Sequence, residues 1–292
     1  MKHELFTGCA TALVTPFQNG AVDFAALSRI IDHQLDNAVS ALVVCGTTGE
    51  PSTMSAEEQA SVVSFVVEQV NGFIPVIAGT GGNHTAAVIQ KARQYKELGA
   101  DAQLCVTPYY NKTTQAGLIA HYSAIADAGD LPVILYNVPG RTGLNMLPET
   151  VARLSEHPNI VGHKEACADL SQASELFRLL GDSLPVYSGM DELILPLLAL
   201  GARGAISVAS NLLPRKIAEL IALYQDGALK QSRDLQLTLL PFINALFRQT
   251  SPSPIKAAMQ LAGLCTDEVR LPLIRLNDRE REALQKVTES VL

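Results

Sequence analysis

Short apolar runs alternate along the chain with longer segments in which apolar residues recur at helical spacing. The runs are rich in Val, Ile and Leu and are too short for helices, as expected for strands buried on both faces. We predict strands at residues 10–14, 41–45, 75–78, 102–106, 132–136, 160–164, 185–187 and 205–208. We predict helices at residues 23–37, 56–71, 85–98, 115–126, 148–155, 170–180, 191–200 and 214–224.

This order of elements predicts an α/β fold, a (β/α)8 TIM barrel. The usual length of about 250 residues for such a barrel is close to that of residues 1–225. A doubly wound open sheet is the alternative, but residues 15–20 after the first strand read TPFQNG and lack its G-x-G-x-x-G fingerprint. Only helical patterns follow, at residues 228–248, 254–264 and 278–292. We therefore predict a catalytic barrel domain at residues 1–225 and a helical C-terminal region at residues 226–292.

Composition and charge exclude several classes of function. Hydrophobic residues make up 48% of the chain and charged residues 17%, which favours a large folded core over disorder. The formal net charge of −7 argues against nucleic-acid binding, for which a basic surplus is typical. The longest apolar stretches, such as residues 193–200, are far shorter than the roughly 20 residues of a membrane span. The beginning of the chain also lacks the apolar run of a signal peptide.

The cysteines show no spacing typical of a disulfide framework or of a metal site. The chain has 5 cysteines, which are scattered, and no two of them form a C-x-x-C pair. Unpaired thiols of this kind are typical of proteins in a reducing compartment. We therefore expect a cytoplasmic protein without a metal centre.

The active site of a (β/α)8 barrel lies at the carboxyl ends of the strands, so polar residues there are candidates. Residues 46–50, Gly-Thr-Thr-Gly-Glu, follow the second strand and are either a helix-capping loop or a pair of functional hydroxyls. Residues 79–83, Gly-Thr-Gly-Gly-Asn, lack the lysine of a P-loop, and we interpret them as a turn with Asn83 as N-cap. Tyr109 and Tyr110 follow the fourth strand and either move protons or pack in the core.

The sixth predicted strand, at residues 160–164, and the residue after it read Ile-Val-Gly-His-Lys-Glu. The strand contains a lysine in otherwise apolar surroundings. Strand alternation puts Ile160, Gly162 and Lys164 on one face, where Gly162 leaves space beneath the lysine. His163 lies on the opposite face, between barrel and helices, where its ring needs a partner. Burial favours a neutral amine, which is a nucleophile toward carbonyls. The alternative is a strand-end lysine that reaches water.

The fifth predicted strand ends in Tyr136, and neighbouring strands of a sheet lie about 5 Å apart. We therefore expect Tyr136 and Lys164 to meet at the mouth of the barrel, a phenol that moves protons beside an amine. Arg141, in the loop after Tyr136, offers a bidentate contact to a carboxylate, unless it is simply a solvated surface residue. The pair of Lys164 and Tyr136 predicts imine chemistry.

Three motifs at the ends of the second, fifth and sixth predicted strands carry a family resemblance. They are Gly46-Thr47-Thr48-Gly49-Glu50, Tyr136-Asn137-Val138-Pro139 followed by Arg141-Thr142, and Gly162-His163-Lys164-Glu165. In this order they resemble the dihydrodipicolinate synthase family. That family is the lysine-biosynthesis branch of the pyruvate-dependent class I aldolases, in the N-acetylneuraminate lyase superfamily. The resemblance covers essentially the whole chain and implies a TIM barrel.

The resemblance implies a lyase that condenses pyruvate with L-aspartate 4-semialdehyde in the diaminopimelate route to lysine. Lys164 resembles the lysine that forms a Schiff base with pyruvate. The enamine derived from it attacks the aldehyde, and transimination releases 4-hydroxy-tetrahydrodipicolinate. The resemblance implies no metal and no organic cofactor, because the lysine itself supplies the electron sink.

The resemblance also implies a proton relay that crosses a subunit boundary. The relay residues are Tyr136, Thr47 and Tyr110. In the family, the residue at the position of Tyr110 reaches into the active site of a neighbouring subunit, which implies at least a dimer. We expect a homotetramer built as a dimer of dimers.

Substrate-binding residues follow from the same resemblance. Thr48 resembles the group that holds the pyruvate carboxylate, and Arg141 resembles the cation that holds the carboxylate of the semialdehyde. Gly189 and Ile206 resemble backbone contacts on the far side of the pocket. Regulated members of the family hold L-lysine with a Glu at the position of Ala87, so we expect weak or no inhibition by L-lysine here.

The chain departs from the common residues of the family at His163, Cys167 and Met190, and the last two positions flank the expected pocket. The alternative function is a sister pyruvate-dependent aldolase, such as N-acetylneuraminate lyase or a keto-deoxy-sugar acid aldolase. Those enzymes usually lack the double threonine and the arginine. A non-catalytic barrel that binds pyruvate and a barrel enzyme for phosphate substrates are more distant alternatives.

Overall fold

The computed structural model describes residues 4–128 and 131–292. The strands in this part of the chain are β1 Gly8–Ala12, β2 Phe17–Gln18, β3 Ala21–Val22, β4 Ala41–Val44, β5 Val76–Gly79, β6 Ala102–Val106, β7 Val133–Asn137, β8 Ile160–Glu165, β9 Val186–Ser188 and β10 Gly204–Ser207. The helices are α1 Phe24–Leu35, α2 Ala56–Val70, α3 Thr85–Glu97, α4 Gln115–Ala128, α5 Pro139–Thr142, α6 Pro148–Ser155, α7 Leu170–Leu180, α8 Ile194–Leu200, α9 Pro214–Gln225, α10 Leu229–Ala245, α11 Ser253–Leu261 and α12 Asp278–Glu289. Short 3₁₀ turns lie at Thr47–Gly49, Pro51–Thr53, Asp191–Leu193 and Ala209–Asn211.

A closed parallel barrel is the centre of the fold. Its strands follow the chain in the order β1, β4, β5, β6, β7, β8, β9 and β10, and β10 pairs with β1 to close it. The strands β2 and β3 form a separate antiparallel hairpin, which the sequence analysis missed. The predicted (β/α)8 barrel is confirmed. The largest shift is in the first strand, which is predicted at residues 10–14 and observed at Gly8–Ala12.

Both faces of the barrel strands are buried, which explains why they are apolar throughout. One cluster fills the interior of the barrel and includes Ala10, Val43, Ile77, Leu104, Ile134 and Ile206. A second cluster packs between the barrel and α4, α6 and α7 and includes Val133, Leu135, Leu118, Val151 and Leu176. Layers of apolar side chains therefore hold the strand ends, and the polar groups on them, in fixed positions.

The prediction that Ile160 shares a face of its strand with Gly162 and Lys164 is wrong. The register between β7 and β8 shifts at this point, so Val161 is an extra residue at a β-bulge. Ile160 therefore packs outward beneath the helices, whereas Val161 contacts the barrel interior. The space beneath Lys164 is not free, because a Cβ at Gly162 would lie 3.3 Å from the ring of Tyr187.

The helix α2 begins as its sequence predicts, but α3 does not. The Ser55 hydroxyl accepts the Glu58 N–H at 3.2 Å, and the Glu58 carboxylate accepts the Ser55 N–H at 2.9 Å, which completes a capping box. The predicted N-cap Asn83 is wrong, since the N-cap of α3 is His84. Asn83 instead donates from its side chain to the Tyr109 carbonyl at 3.2 Å and so joins two strand-end loops.

The last three helices pack onto the barrel. Phe242 and Ile243 of α10 and Ile255 and Met259 of α11 are buried in the same apolar cluster as residues of α1, α2 and α9. The division of the chain at residue 225 into two regions stays a prediction. Among residues 4–128 and 131–292, no helix combines the length and the apolar character needed to cross a membrane.

Candidate active site

A cavity of about 290 Å³ opens where the barrel strands end. The loops after β4, β5, β6 and β7 supply most of its wall. The lining residues include Thr47, Gln59, Lys91, Tyr109, Tyr136 and Arg141. Three of the residues predicted from the sequence, Thr47, Tyr136 and Arg141, therefore face one cavity.

Lys164 and Tyr136 lie side by side at the ends of neighbouring strands. They are register partners across β7 and β8, and Lys164 Nζ lies 4.2 Å from the centroid of the Tyr136 ring. Lys164 is only 5% exposed. The predicted meeting of the amine and the phenol is confirmed, and the apolar strand holds the lysine away from bulk water.

Gly189 and Ile206 belong to the part of the barrel beyond Lys164. Gly189 follows β9, and a Cβ there would lie 2.9 Å from Lys164 Cε and 2.8 Å from Ala166 Cβ. The lysine side chain therefore occupies the room that glycine leaves. Ile206 in β10 is fully buried in the interior cluster. The structure thus places Gly189 against the lysine and Ile206 in the barrel interior.

Thr47 and Thr48 lie on the short 3₁₀ turn that follows β4. Thr47 is exposed toward the cavity, whereas Thr48 is buried. A hydrogen bond from the segment after β1 holds this turn, since the Thr15 hydroxyl donates to the Gly49 carbonyl at 2.7 Å. This contact fixes the turn, on which Thr47 lines the cavity.

The structure separates Arg141 from Tyr110. Arg141 lies on the short helix α5, lines the cavity and donates from Nη2 to the Ser251 carbonyl at 3.4 Å. Tyr110 is 93% exposed and has a positive φ of 68°. Its neighbour Tyr109 lines the cavity instead. A single chain therefore does not bring Tyr110 to Lys164.

A buried polar network lies behind the strands that carry Lys164 and Tyr136. His163 is fully buried, and its Nε2 lies 3.0 Å from Glu165 Oε2, so the partner predicted for this ring is present. Glu165 also accepts the Asn137 side-chain amide at 3.1 Å and the Cys167 N–H at 2.9 Å. Burial raises the pKa of the Cys167 thiol to about 12, so this thiol is protonated at neutral pH.

The sequence analysis missed two ionisable groups beside the candidate site. Asp191 is buried and accepts the N–H groups of Val208 and Ala209 at 3.0 and 2.9 Å, and burial raises its pKa. Lys91 of α3 lines the cavity and donates to Gln59 Oε1 at 3.1 Å, and burial lowers its pKa. Both residues occupy predicted helices that carry other charged residues, so no local pattern distinguishes them.

A sheltered amine lies beside the Tyr136 phenol at the strand ends, and this phenol shares one cavity with the Thr47 hydroxyl and the Arg141 guanidinium. An amine so placed can form an imine with a carbonyl compound, and the hydroxyls can move the protons that this needs. Among residues 4–128 and 131–292, no group of three or more His, Cys, Asp or Glu side chains is placed to hold a metal ion.

The comparison with protein families decides what kind of barrel this is. The sequence model of the dihydrodipicolinate synthetase family matches residues 5–291. The chain belongs to the dihydrodipicolinate synthetase family. The resemblance stated from the strand-end motifs is thereby confirmed, and it extends over the C-terminal helices.

Members of the dihydrodipicolinate synthetase family match the chain over nearly its whole length. A 4-hydroxy-tetrahydrodipicolinate synthase of Pelobacter propionicus is 51% identical over 286 residues, which are 98% of this chain and 99% of that protein. A chloride-inhibited dihydrodipicolinate synthase from Acinetobacter baumannii complexed with pyruvate is 42% identical, with a TM-score of 0.95 and coverage of 97% and 98%. A monomeric dihydrodipicolinate synthase variant is 43% identical, with a TM-score of 0.96 and coverage of 98% and 97%.

Proposed function

We propose that this chain is a lyase that condenses pyruvate with L-aspartate 4-semialdehyde to 4-hydroxy-tetrahydrodipicolinate in the diaminopimelate route to lysine. The observation that carries the proposal is the sheltered Lys164 amine beside the Tyr136 phenol at the mouth of the barrel. The name of the 51% identical relative and the pyruvate complex of the Acinetobacter baumannii enzyme support it.

The reaction begins on Lys164. Its neutral amine attacks the keto carbon of pyruvate, water leaves, and a protonated imine forms that acts as an electron sink. Loss of a methyl proton gives the enamine, whose carbon attacks the aldehyde of the semialdehyde. The amino group of that substrate then attacks the imine carbon, which closes the ring and releases Lys164. No step in this sequence uses a metal ion or an organic cofactor.

Proton transfer at these steps is assigned to Tyr136 and Thr47, whose positions on the cavity wall support the assignment. The relay is completed by Tyr110, supplied by a second copy of the chain. The 93% exposure of Tyr110 supports this reading, since a tyrosine needs a partner surface to cover its ring. We therefore propose a homo-oligomer, a tetramer built as a dimer of dimers.

Substrate binding is assigned to the residues around this relay. Thr48 holds the pyruvate carboxylate, and Arg141 holds the carboxylate of the semialdehyde as it enters. Gly189 and Ile206 provide backbone contacts on the opposite wall. The free cysteines support a reducing, cytoplasmic setting for the reaction.

Borohydride reduction in the presence of pyruvate tests the proposal. We expect an irreversible pyruvate adduct on Lys164 and loss of nearly all activity in Lys164→Ala, because only an amine forms the imine. Lys91 lies in the same cavity and is the matched control, so Lys91→Met is expected to retain the adduct on Lys164. Peptide mass mapping locates the adduct.

An adduct on any lysine other than Lys164, or none, would contradict the mechanism. The semialdehyde is then compared with N-acetylmannosamine as the second substrate. Turnover of N-acetylmannosamine in preference to the semialdehyde would favour a sister aldolase instead.

A further inference from the structure

A buried ion pair connects the C-terminal helices to the turn that carries Thr47 and Thr48. Lys256 of α11 contacts the carboxylate of Glu50, and the two side chains are 0% and 1% exposed. Lys256 Nζ also donates to the Glu268 carbonyl at 2.9 Å. The two charges lie 206 residues apart in the sequence.

Glu50 ends the turn itself, so its side chain constrains the turn directly. Its N–H donates to the Thr47 carbonyl at 3.2 Å, and its φ of 55° lies in the left-handed region. A non-glycine residue keeps that conformation only where its surroundings hold it. Besides Lys256, the Arg270 N–H donates to the Glu50 carboxylate at 3.3 Å, so both contacts come from the C-terminal region.

Stability alone does not explain this pair. A buried ion pair is costly to desolvate, and an apolar pair of the same volume often stabilises a protein equally well. Burial lowers the pKa of Lys256, which reflects that cost. Unlike an apolar pair, a buried ion pair fixes the orientation of both side chains.

We propose that the Glu50–Lys256 ion pair positions the turn that carries the hydroxyls of Thr47 and Thr48, which makes Lys256 a positioning residue for pyruvate binding. The inference rests on the proposed function, because it assigns the carboxylate of pyruvate to Thr48. Arg141 lies on α5, which follows β7 and is not part of the turn after β4. We therefore expect its role in holding the carboxylate of the semialdehyde not to depend on Glu50.

Steady-state kinetics of Glu50→Gln and Lys256→Met, with each substrate varied in turn, test the proposal. We expect the KM for pyruvate to rise about tenfold or more, because a misplaced hydroxyl loses a hydrogen bond to a charged group. The KM for the semialdehyde is expected to stay within about twofold. A purely structural pair would lower the melting temperature and the active fraction but leave both KM values unchanged.

The half-buried pair between Glu58 and Arg270 provides the matched control. It also joins the C-terminal region to the barrel, but it ends on α2 and not on the threonine turn. Glu58→Gln keeps the capping box and is expected to leave the KM for pyruvate within about twofold. An equal rise in this variant would overturn the proposal.

A double variant keeps the test decisive if the single variants do not fold. Glu50→Leu with Lys256→Met replaces the charges by apolar groups and is expected to recover the melting temperature but not the KM for pyruvate. Recovery of both overturns the inference. If the unmodified enzyme is trapped by borohydride with pyruvate and the variants match it in KM, only the inference fails. If the unmodified enzyme is not trapped, the proposed function and the inference both fail.

Discussion

The position of the Lys164 amine depends on the residue that faces it from the next strand end. A Cβ at Gly189 would lie 2.9 Å from Lys164 Cε and 3.1 Å from the Glu165 carbonyl, closer than ordinary contacts allow. Something must therefore move in Gly189→Ala, and the lysine side chain is the softest neighbour. Overpacking of this kind costs about 1–3 kcal/mol.

We predict that Gly189→Ala forms the imine with pyruvate about 5- to 150-fold more slowly, which is what a cost of about 1–3 kcal/mol at the barrier gives as a rate. Stopped borohydride trapping at short times measures this rate. Gly140→Ala is the matched control, since nothing lies within 4 Å of a Cβ at that position on α5. Equal rates in both variants would show that the contact with Gly189 does not set the position of the lysine.

At the level of elements, the beginning of α2 is stabilised by two contacts on one side chain. Glu58 completes the capping box and also pairs with both terminal nitrogens of Arg270. The hydrogen bond from Arg270 lowers the pKa of Glu58 from 4.5 to about 2. Because the folded pKa lies below the unfolded one, the pair stabilises the protein above pH 4.5, and this contribution is lost as the pH falls toward 2.

We predict that Glu58→Gln lowers the free energy of unfolding by about 1 kcal/mol or less at neutral pH, since the side chains of Glu58 and Arg270 are 31% and 18% exposed and solvent partly screens the pair. The difference from the unmodified protein is expected to shrink below pH 4.5. Urea unfolding at a series of pH values measures it. A difference that grows on acidification would contradict the assigned direction of the pKa shift.

At the scale of the whole molecule, the cavity at the strand ends extends toward α2 and α3. Pro51, Ser52 and Gln59 line this part, and Lys91 projects into it from α3. Ala87 on the same helix stands where regulated relatives are expected to carry a Glu. Lys91 on this wall is therefore expected to repel the side-chain amine of L-lysine, and Ala87 offers no carboxylate to bind that amine.

We predict weak or no inhibition by L-lysine, with half-inhibition above the millimolar range. Loss of one charge-assisted contact weakens binding by about 1.5–3 kcal/mol, or roughly 10- to 100-fold. Activity measured against L-lysine concentration checks this. Ala87→Glu is expected to increase sensitivity to L-lysine, and sub-millimolar inhibition of the unmodified protein would refute the reading.

The sequence by itself determined the eight barrel strands, the helices other than the short α5, and the meeting of Lys164 with Tyr136. These features follow from local apolar periodicity and from the fact that neighbouring strands of a sequential barrel end at the same edge. Lys164 was identifiable from the sequence because a lysine is rarely buried in an apolar strand without a partner or a function. The same signal is present at Lys256, in the apolar stretch of α11, but only the fold shows its partner.

The tertiary structure alone decided the features that depend on distant contacts. The β-bulge at Val161 turns Ile160 outward, and the contact of Gly189 with Lys164 arises only when β8 and β9 lie side by side. Likewise, Glu50 and Lys256 meet only after the C-terminal helices pack onto the barrel. Local pattern determines which residues are buried, but packing between elements far apart in the chain determines which buried groups touch.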